Sequence, residues 1–208
     1  MTGIREMSEQ FKDGCMKDLG RCGFFTEIGE LNGIIDHCEH NLAHIDEWSK
    51  DTVFDPPLLM APNSNRIKWE PLGVVLIFGS WNYPYYVTIK PLVQAIATGN
   101  CAIIKPSEMS PVSSAAVQHL VDKYLDPRCY RVIQGDVAVS IEITKHPFDL
   151  ICFTGSTEKG RLVAKAAADN LIPCILELGG KCPFIVDTEA NVDFAAFKCA
   201  QAKFQNAG

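Results

Sequence analysis

The 208-residue sequence contains no apolar run that approaches the roughly 20 residues needed to cross a membrane as a helix. Its first ten residues also lack the apolar core of a secretory signal peptide. Basic charge is not in excess, since 19 Lys and Arg face 25 Asp and Glu, a formal net charge of −6. Non-specific binding to nucleic acids depends on basic groups that neutralise phosphates. We therefore expect a cytoplasmic protein without a nucleic-acid partner.

Cysteine is abundant, but it shows none of the spacings that mark a disulfide scaffold or a metal site. The nine cysteines are odd in number, and no two of them are spaced as C-x-x-C. Several, such as Cys152, lie inside apolar runs, which favours buried free thiols in a reducing compartment. His40 and His44 lack the intervening glutamate of H-E-x-x-H, so we interpret residues 37–44 as a solvated helix face and expect no metal site.

Charge divides the chain near residue 70. Residues 1–70 contain 13 acidic and 7 basic side chains, whereas residues 71–208 contain 12 of each. In the acidic part, apolar residues at three- and four-residue intervals predict one long helix over 26–49 with Thr26 as its N-cap. The predicted apolar stripe consists of Ile28, Leu31, Ile35, Cys38, Leu42 and Ile45. The predicted polar face consists of His37, Asn41, His44 and Glu47.

Two weaker patterns flank that helix. A helical pattern over 11–19 is disfavoured by Gly14, Gly20 and Gly23. Residues 51–70 are rich in Pro and Asn and predict a loop with a short ribbon around 66–69. We interpret residues 1–70 as an α-helical arm and linker.

Residues 71–208 alternate short apolar runs with stretches of helical length. The runs predict strands over 74–78, 102–104, 130–133, 150–153, 174–176 and, as a sixth, 184–186. The stretches predict helices over 86–97, 112–124, 137–144, 158–168 and 192–204. Continuous apolar runs are typical of strands buried on both faces of a parallel sheet. The sequence thus predicts an α/β fold, a doubly wound parallel sheet over 71–208 preceded by the helical arm.

Polar residues follow several predicted strands, at the edge where open parallel sheets bind ligands. The segment Gly155-Ser156-Thr157-Glu158-Lys159-Gly160 joins a strand to a helix, so its N–H groups could hold a phosphate. It matches neither the Walker loop nor G-x-G-x-x-G, and a tight strand-to-helix turn is an equal alternative.

Three further segments at this edge each allow two interpretations. Lys105 and Glu108 could contact ribose or phosphate oxygens, or form a salt bridge within their loop. Asn82 could donate to a developing oxyanion, or serve as a turn residue before a proline. Glu177, next to a buried strand, is a candidate general base if desolvation raises its pKa, or a partner for Lys181.

Together these segments resemble the aldehyde dehydrogenase superfamily, from about residue 17 to the end of the chain. The resemblance rests on the order and spacing of Pro71-Leu-Gly-Val-Val, Trp81-Asn-Tyr-Pro, Lys105-Pro-Ser-Glu108, Phe153-Thr-Gly-Ser-Thr157 and Leu176-Glu-Leu-Gly-Gly-Lys181. The short arm and Trp81-Asn-Tyr-Pro-Tyr are most similar to the class 3 and fatty aldehyde dehydrogenase branch.

The resemblance implies a variant Rossmann domain and the NAD(P)-dependent oxidation of an aldehyde to a carboxylic acid. It implies that Asn82 is the oxyanion donor and Glu177 the base. It further implies that Lys105 and Glu108 hold the adenosine ribose of the cofactor. The Glu108 charge would repel the 2′-phosphate of NADP, but a mobile side chain can swing aside, so the cofactor is NAD with NADP as the alternative. The segment Gly155 to Gly160 would line the pyrophosphate, and the complete protein would form a homodimer.

Two departures from the family pattern affect these expectations. Cys182 stands where a small polar residue usually follows Leu-Gly-Gly-Lys. The residues Phe204-Gln-Asn-Ala-Gly208 resemble the approach to the family's Gln-x-Cys motif, whose nucleophile would be the third residue after Gly208. We therefore expect no aldehyde oxidation by these 208 residues alone. The alternatives are a non-catalytic dinucleotide-binding module or an interaction protein built on the arm, and membrane attachment would depend on a C-terminal tail.

Overall fold

A computed structural model describes residues 1–207 of the chain. The first part is helical and comprises α1 (Thr2–Glu6), α2 (Ser8–Leu19), α3 (Gly23–Thr26), a π-helical turn (Glu27–Leu31) and α4 (Asn32–Trp48). A short antiparallel ribbon follows, with β1 (Thr52–Phe54) paired to β2 (Asn65–Ile67). The predicted ribbon around 66–69 is therefore confirmed in position, although its paired residues begin slightly earlier. Within residues 1–207, none of the helices has the length and apolarity required to span a bilayer.

The long arm helix differs from its prediction at both its start and its buried face. Thr26 is not an N-cap, since it has helical dihedral angles (φ −65°, ψ −44°), is buried and makes no capping bond. The helix starts earlier, at Gly23, and the π-helical turn widens it at Glu27–Leu31. A π turn contains an extra residue, which rotates the positions that follow. Consequently Ile34 and Asn41 are buried, whereas the predicted stripe residue Leu42 is exposed.

Helix α2 is complete despite its glycines, and each glycine has a local reason. A Cβ on Gly14 would collide with the Tyr85 hydroxyl, so a glycine there lets α2 lie close to the following domain. Gly20 ends the helix in the left-handed conformation (φ 66°), which glycine adopts without steric cost. Glycines that lower helix propensity therefore serve close packing and helix termination here.

A five-stranded parallel sheet forms the second part. Its strands are β3 (Val74–Phe78), β4 (Cys101–Lys105), β5 (Tyr130–Val132), β6 (Leu150–Gly155) and β7 (Cys174–Leu178), in the spatial order β5-β4-β3-β6-β7. The first five predicted strands are thus confirmed. The sixth is wrong: residues 184–186 have no regular structure, and Ile185 is almost fully exposed. A strand requires a hydrogen-bonded neighbour, and 184–186 pairs with no strand in the described part of the chain.

Helices cover both faces of the sheet. They are α5 (Tyr86–Ala97), α6 (Pro111–Tyr124), α7 (Val137–Ile143) and α8 (Thr157–Ala168). A further helix, α9 (Val192–Phe204), follows β7, and none of its residues is buried. Alternate β3 residues enter different cores: Leu76 packs with Val163 of α8, whereas Ile77 packs with Leu92 of α5. A third core joins the arm to α5 and α6 through residues such as Phe11 and Tyr85. The sheet is therefore doubly wound, as the continuous apolar runs predict.

Candidate functional site

A cleft of about 920 Å³ lies at the carboxyl ends of the strands. Successive parallel strands extend from β3 in opposite directions, to β4 on one side and β6 on the other, so the cleft lies at a topological switch point. Its volume falls within the range of roughly 300–1,000 Å³ that is usual for ligand sites. Of the predicted site residues, it is lined by Asn82, Lys105, Glu108, Gly155, Ser156, Lys159 and Glu177.

Lys105 and Glu108 form one wall of the cleft. Lys105 is the last residue of β4 and only 2% exposed, and its Nζ donates to the Pro106 carbonyl at 2.8 Å and to Glu108 Oε2 at 2.9 Å. Burial favours the neutral form of Glu108, but the hydrogen bond and charge of Lys105 prevail and lower its pKa. The salt-bridge alternative is therefore present in the structure. Both side chains also line the cleft, and their contact with ribose or phosphate oxygens stays a prediction.

The opposite wall is the start of α8. Ser156 is the N-cap, and its Oγ accepts from the Lys159 N–H at 3.3 Å. Helix N-termini attract anions because their first N–H groups lack partners in the helix. Thr157 and Glu158 lie in the same first turn, but they are exposed and do not line the cleft.

Gly160 also lies outside the lining, beneath the start of α8. A Cβ at this position would lie 2.5 Å from Leu178 Cδ2 and 3.3 Å from Phe153 Cε1. The glycine thus permits close contact between α8 and the sheet. Its role in the structure is packing, and the close approach fixes where the helix N-terminus sits above the strands.

Asn82 lies in the loop between β3 and α5. The Ser80 hydroxyl donates to Asn82 Oδ1 at 2.6 Å, which fixes the orientation of the amide. Among residues 1–207, no acceptor is hydrogen-bonded to Asn82 Nδ2. The Asn82 side chain is exposed at the cleft, so its Nδ2 hydrogens can donate to a ligand.

Glu177, on β7, is exposed at the sheet edge. The desolvation that the general-base prediction invokes is therefore missing around this carboxylate, because β7 is the outermost strand of the described sheet. The alternative pairing with Lys181 is also not formed among residues 1–207. Across the β6–β7 pair, burial and then the Glu177 charge raise the pKa of Cys152 to about 11. Cys152 is thus a neutral thiol at physiological pH.

Sequence reasoning missed a buried ion pair beneath the Asn82 loop. Arg21 and Glu30, both from the arm, have side chains that are 3% and 0% exposed and form a salt bridge. Arg21 also donates to the Asn82 carbonyl oxygen at 3.2 Å. In the sequence Glu30 is directly beside the apolar Leu31, but a single glutamate in an amphipathic helix is no specific signal of a buried ion pair.

The histidines of the arm do not form a metal centre in the part of the chain that the structure describes. There, no group of three or more His, Cys, Asp or Glu side chains is close enough to hold an ion. Instead, the His40 and His44 rings lie 4.3 Å apart, and Trp48 stacks on His44 at 5.5 Å. The three rings therefore pack against one another along one face of α4.

Comparisons with known proteins agree with this fold. The family model described as "Aldehyde dehydrogenase family" matches residues 2–208. Mouse "Aldehyde dehydrogenase family 3 member B2" is 38% identical over 99% of this chain and 43% of its own length. Rat "Aldehyde dehydrogenase, dimeric NADP-preferring" is 36% identical over 99% of the chain and 45% of its own length.

Solved structures show the same likeness. A substrate-bound Staphylococcus aureus AldH superposes with a TM-score of 0.95 and 35% identity, over 100% of this chain and 45% of the other. S. aureus betaine aldehyde dehydrogenase, solved with NAD⁺, has a TM-score of 0.86 and 26% identity over 97% of this chain and 40% of its own. The chain thus spans less than half the length of these relatives. With nearly every residue covered by the family model, the chain belongs to the aldehyde dehydrogenase family.

Proposed function

We propose that this chain forms the cofactor-binding part of an enzyme that oxidises an aldehyde to a carboxylic acid with NAD or NADP. Relatives carry the names of aldehyde dehydrogenases, one of them NADP-preferring, and one solved relative contains NAD⁺. The observation that carries the proposal is the cleft at the switch point, with the Lys105–Glu108 pair on one wall and the α8 N-terminus on the other.

The residues present fit a dinucleotide. A buried lysine and an ionised glutamate offer a donor and an acceptor to ribose hydroxyls, and the α8 N-terminus offers N–H groups to a pyrophosphate. The bound nicotinamide would supply a hydride acceptor. On the protein side, Glu108 disfavours a second negative charge beside the ribose, which supports a preference for NAD over NADP.

The chemical roles proposed for Asn82 and Glu177 come from the family resemblance, and the position of both side chains at the cleft supports them. Asn82 Nδ2 would donate to the oxygen that gains charge when a thiolate adds to the aldehyde carbonyl. Once the thiohemiacetal has lost a hydride to the nicotinamide, the thioester that remains would be hydrolysed by water, and Glu177 would accept the proton of that water. The Glu177 carboxylate is exposed, so water reaches it directly. In the full-length enzyme, its shielding from bulk solvent would depend on the part of the protein that packs against β7.

The test is an assay of the full-length gene product for aldehyde-dependent formation of reduced cofactor. We expect Asn82→Ala to lower kcat on the order of 10²- to 10³-fold and Glu177→Gln on the order of 10²- to 10⁴-fold. Glu158→Gln is the matched control, since Glu158 is exposed beside the cleft but does not line it. Cofactor binding without turnover by the unmodified protein would support the alternative of a non-catalytic dinucleotide-binding module.

We also propose that the full-length protein is a homodimer in the cytoplasm. The word "dimeric" in the name of the rat relative supports the first point. Light scattering at micromolar concentration tests it, and a stable monomer would contradict it. Imaging of the tagged protein tests its location.

A further inference from the structure

We propose that Arg21 is a positioning residue that holds the Asn82 loop and the segment after α9 in register with each other. The inference rests on the proposed function, in which Asn82 is the oxyanion donor. It adds an arm residue to that site, at a distance of 61 residues in sequence from Asn82.

The Arg21 guanidinium is the centre of the contact. Its Nη1 donates both to the Asn82 carbonyl oxygen, at 3.2 Å, and to Asn206 Oδ1. Its Nη2 donates to Glu30 and approaches Cys15 Sγ at 2.8 Å. The guanidinium carbon lies 5.4 Å from the centre of the Tyr83 ring. One rigid, planar group therefore contacts the arm, the loop and the end of the described chain together.

Glu30 binds the other end of the same loop, where α5 begins. Its Oε2 accepts from the Tyr85 and Tyr86 N–H groups, each at 2.8 Å. These are orphan donors at the start of α5, and no side chain within that helix terminus caps them. The Arg21–Glu30 pair thus binds the loop at residue 82 and again at residues 85 and 86.

Asn206 closes the arrangement from the opposite side. Its Nδ2 donates to the same Asn82 carbonyl oxygen at 2.9 Å, while its Oδ1 accepts from Arg21. Asn206 has a left-handed backbone (φ 57°, ψ 45°), which asparagine adopts more readily than most residues. The two asparagines are therefore joined through one carbonyl oxygen and one guanidinium.

Stability alone is a poor reason for this pair. A buried ion pair can often be replaced by apolar side chains of similar volume without loss of stability. An apolar pair, however, makes no directional hydrogen bonds, whereas the planar guanidinium of an arginine fixes the positions of its acceptors. A catalytic donor has to be held within about 0.5 Å of its productive position, so directional support under Asn82 affects the reaction itself.

The experiment compares Arg21→Lys and the double variant Arg21→Met/Glu30→Gln with the unmodified full-length protein. The double variant removes both buried charges, so it keeps the test valid if a single change fails to fold. We expect kcat for aldehyde oxidation to fall on the order of tens of fold, with the dissociation constant for NAD changed less than about twofold. Arg5→Lys is the matched control, since Arg5 is an exposed arginine of the same arm.

Hydrogen–deuterium exchange gives a readout that does not depend on activity. We expect faster exchange at residues 82–86 and 205–207 in the Arg21 variants, and unchanged exchange at the start of α8. Folded variants with unchanged kcat, or with unchanged exchange in those segments, overturn the positioning role. If the unmodified protein oxidises no aldehyde but the exchange difference is present, the proposed function fails while Arg21 keeps its positioning role.

Discussion

Two carboxylates of the cleft have opposite surroundings. Glu108 is hydrogen-bonded to a buried lysine, whereas Glu177 is exposed and lies beside the half-buried thiol of Cys152 on the neighbouring strand. Carboxylates in different environments usually have different chemical tasks. An ionised Glu108 held by a lysine is suited to the binding role proposed for it, and an exposed Glu177 without an ion-pair partner among residues 1–207 is suited to the proposed proton transfer.

Cofactor preference provides the test of Glu108. Because its negative charge would repel a 2′-phosphate, we expect Glu108→Gln to raise the affinity for NADP relative to NAD by about tenfold, or about 1.4 kcal/mol. Titration of each cofactor by calorimetry measures the ratio. Glu158→Gln, an equal change outside the cleft lining, should leave that ratio as it is. A ratio that is equal in the Glu108 variant and the unmodified protein would contradict the charge argument.

Cys152 gives the chain a stability loss at alkaline pH. Burial, and then the charge of Glu177, raise its pKa from 9.0 to about 11, so the folded state keeps the proton after the unfolded state has lost it. Stability from this thiol is complete below about pH 9 and is lost as the pH rises to about 11. The stability difference between unmodified protein and Cys152→Ala should shrink by on the order of 2 kcal/mol over that interval.

Urea unfolding at a series of pH values measures this effect. Cys22→Ala removes an exposed thiol and is the matched control. If the difference in the free energy of unfolding between the unmodified protein and Cys152→Ala is constant from pH 8 to about pH 11, burial does not raise the pKa of this thiol.

At the scale of elements, the arm supplies caps to helices of the sheet domain. Asp18, near the end of α2, accepts from the Ser113 N–H at 2.7 Å and the Val112 N–H at 3.3 Å, at the start of α6. The N-cap residue of α6, Ser110, makes no capping bond with its own side chain. Together with Glu30 at α5, this places two arm carboxylates at two helix N-termini, where the helix dipole favours them.

Removing the Asp18 cap should destabilise the protein. We expect Asp18→Ala to lower the free energy of unfolding by about 1–2 kcal/mol, the usual cost of a lost N-cap. Asp13→Ala is the control, since Asp13 lies on the same helix and pairs with the exposed Lys17 of its own helix, not with α6. Chemical denaturation measures the free energy of unfolding of both variants. Equal values for Asp18→Ala and Asp13→Ala would show that the Asp18 cap on α6 does not stabilise the protein.

At the scale of the whole molecule, two of the segments that expose apolar side chains contribute no buried residue to the three cores. One is the connection between β1 and β2, where Leu58 and Leu59 are almost fully exposed, and the other extends from β7 through α9, including Ile185 and Phe204. Exposed apolar patches of this kind mark contact surfaces. Because the chain spans less than half the length of its relatives, these segments are candidates for contacts with further protein.

The 208-residue chain produced alone should therefore bind a hydrophobic dye and associate as its concentration rises. We expect Ile185→Ser/Phe204→Ser to reduce both effects. Leu171→Ser is the control, because Leu171 is also almost fully exposed but lies outside both segments, shortly after α8. Light scattering and dye fluorescence measure the outcome. A chain that stays monomeric and binds no dye would show that these side chains form no contact surface.

The sequence by itself determined the five parallel strands, the helices between them and the residues at the carboxyl edge of the sheet. Such features follow from local patterns, since apolar runs and turn residues are read over short stretches of chain. The strand predicted at 184–186 was wrong because a strand depends on a neighbour in space with which to pair. The cap predicted at Thr26 was wrong because the helix starts earlier, at Gly23.

Only the tertiary structure decided how the arm serves the cleft. The Asp18 cap on α6 and the Arg21 contact to Asn82 join residues 95 and 61 positions apart. The local sequence pattern does not predict such pairs, because they form only when the arm packs against α5 and α6. The role of Glu30 also depends on that packing. A carboxylate is costly to bury alone, but here Glu30 is paired with a guanidinium and accepts from two backbone N–H groups.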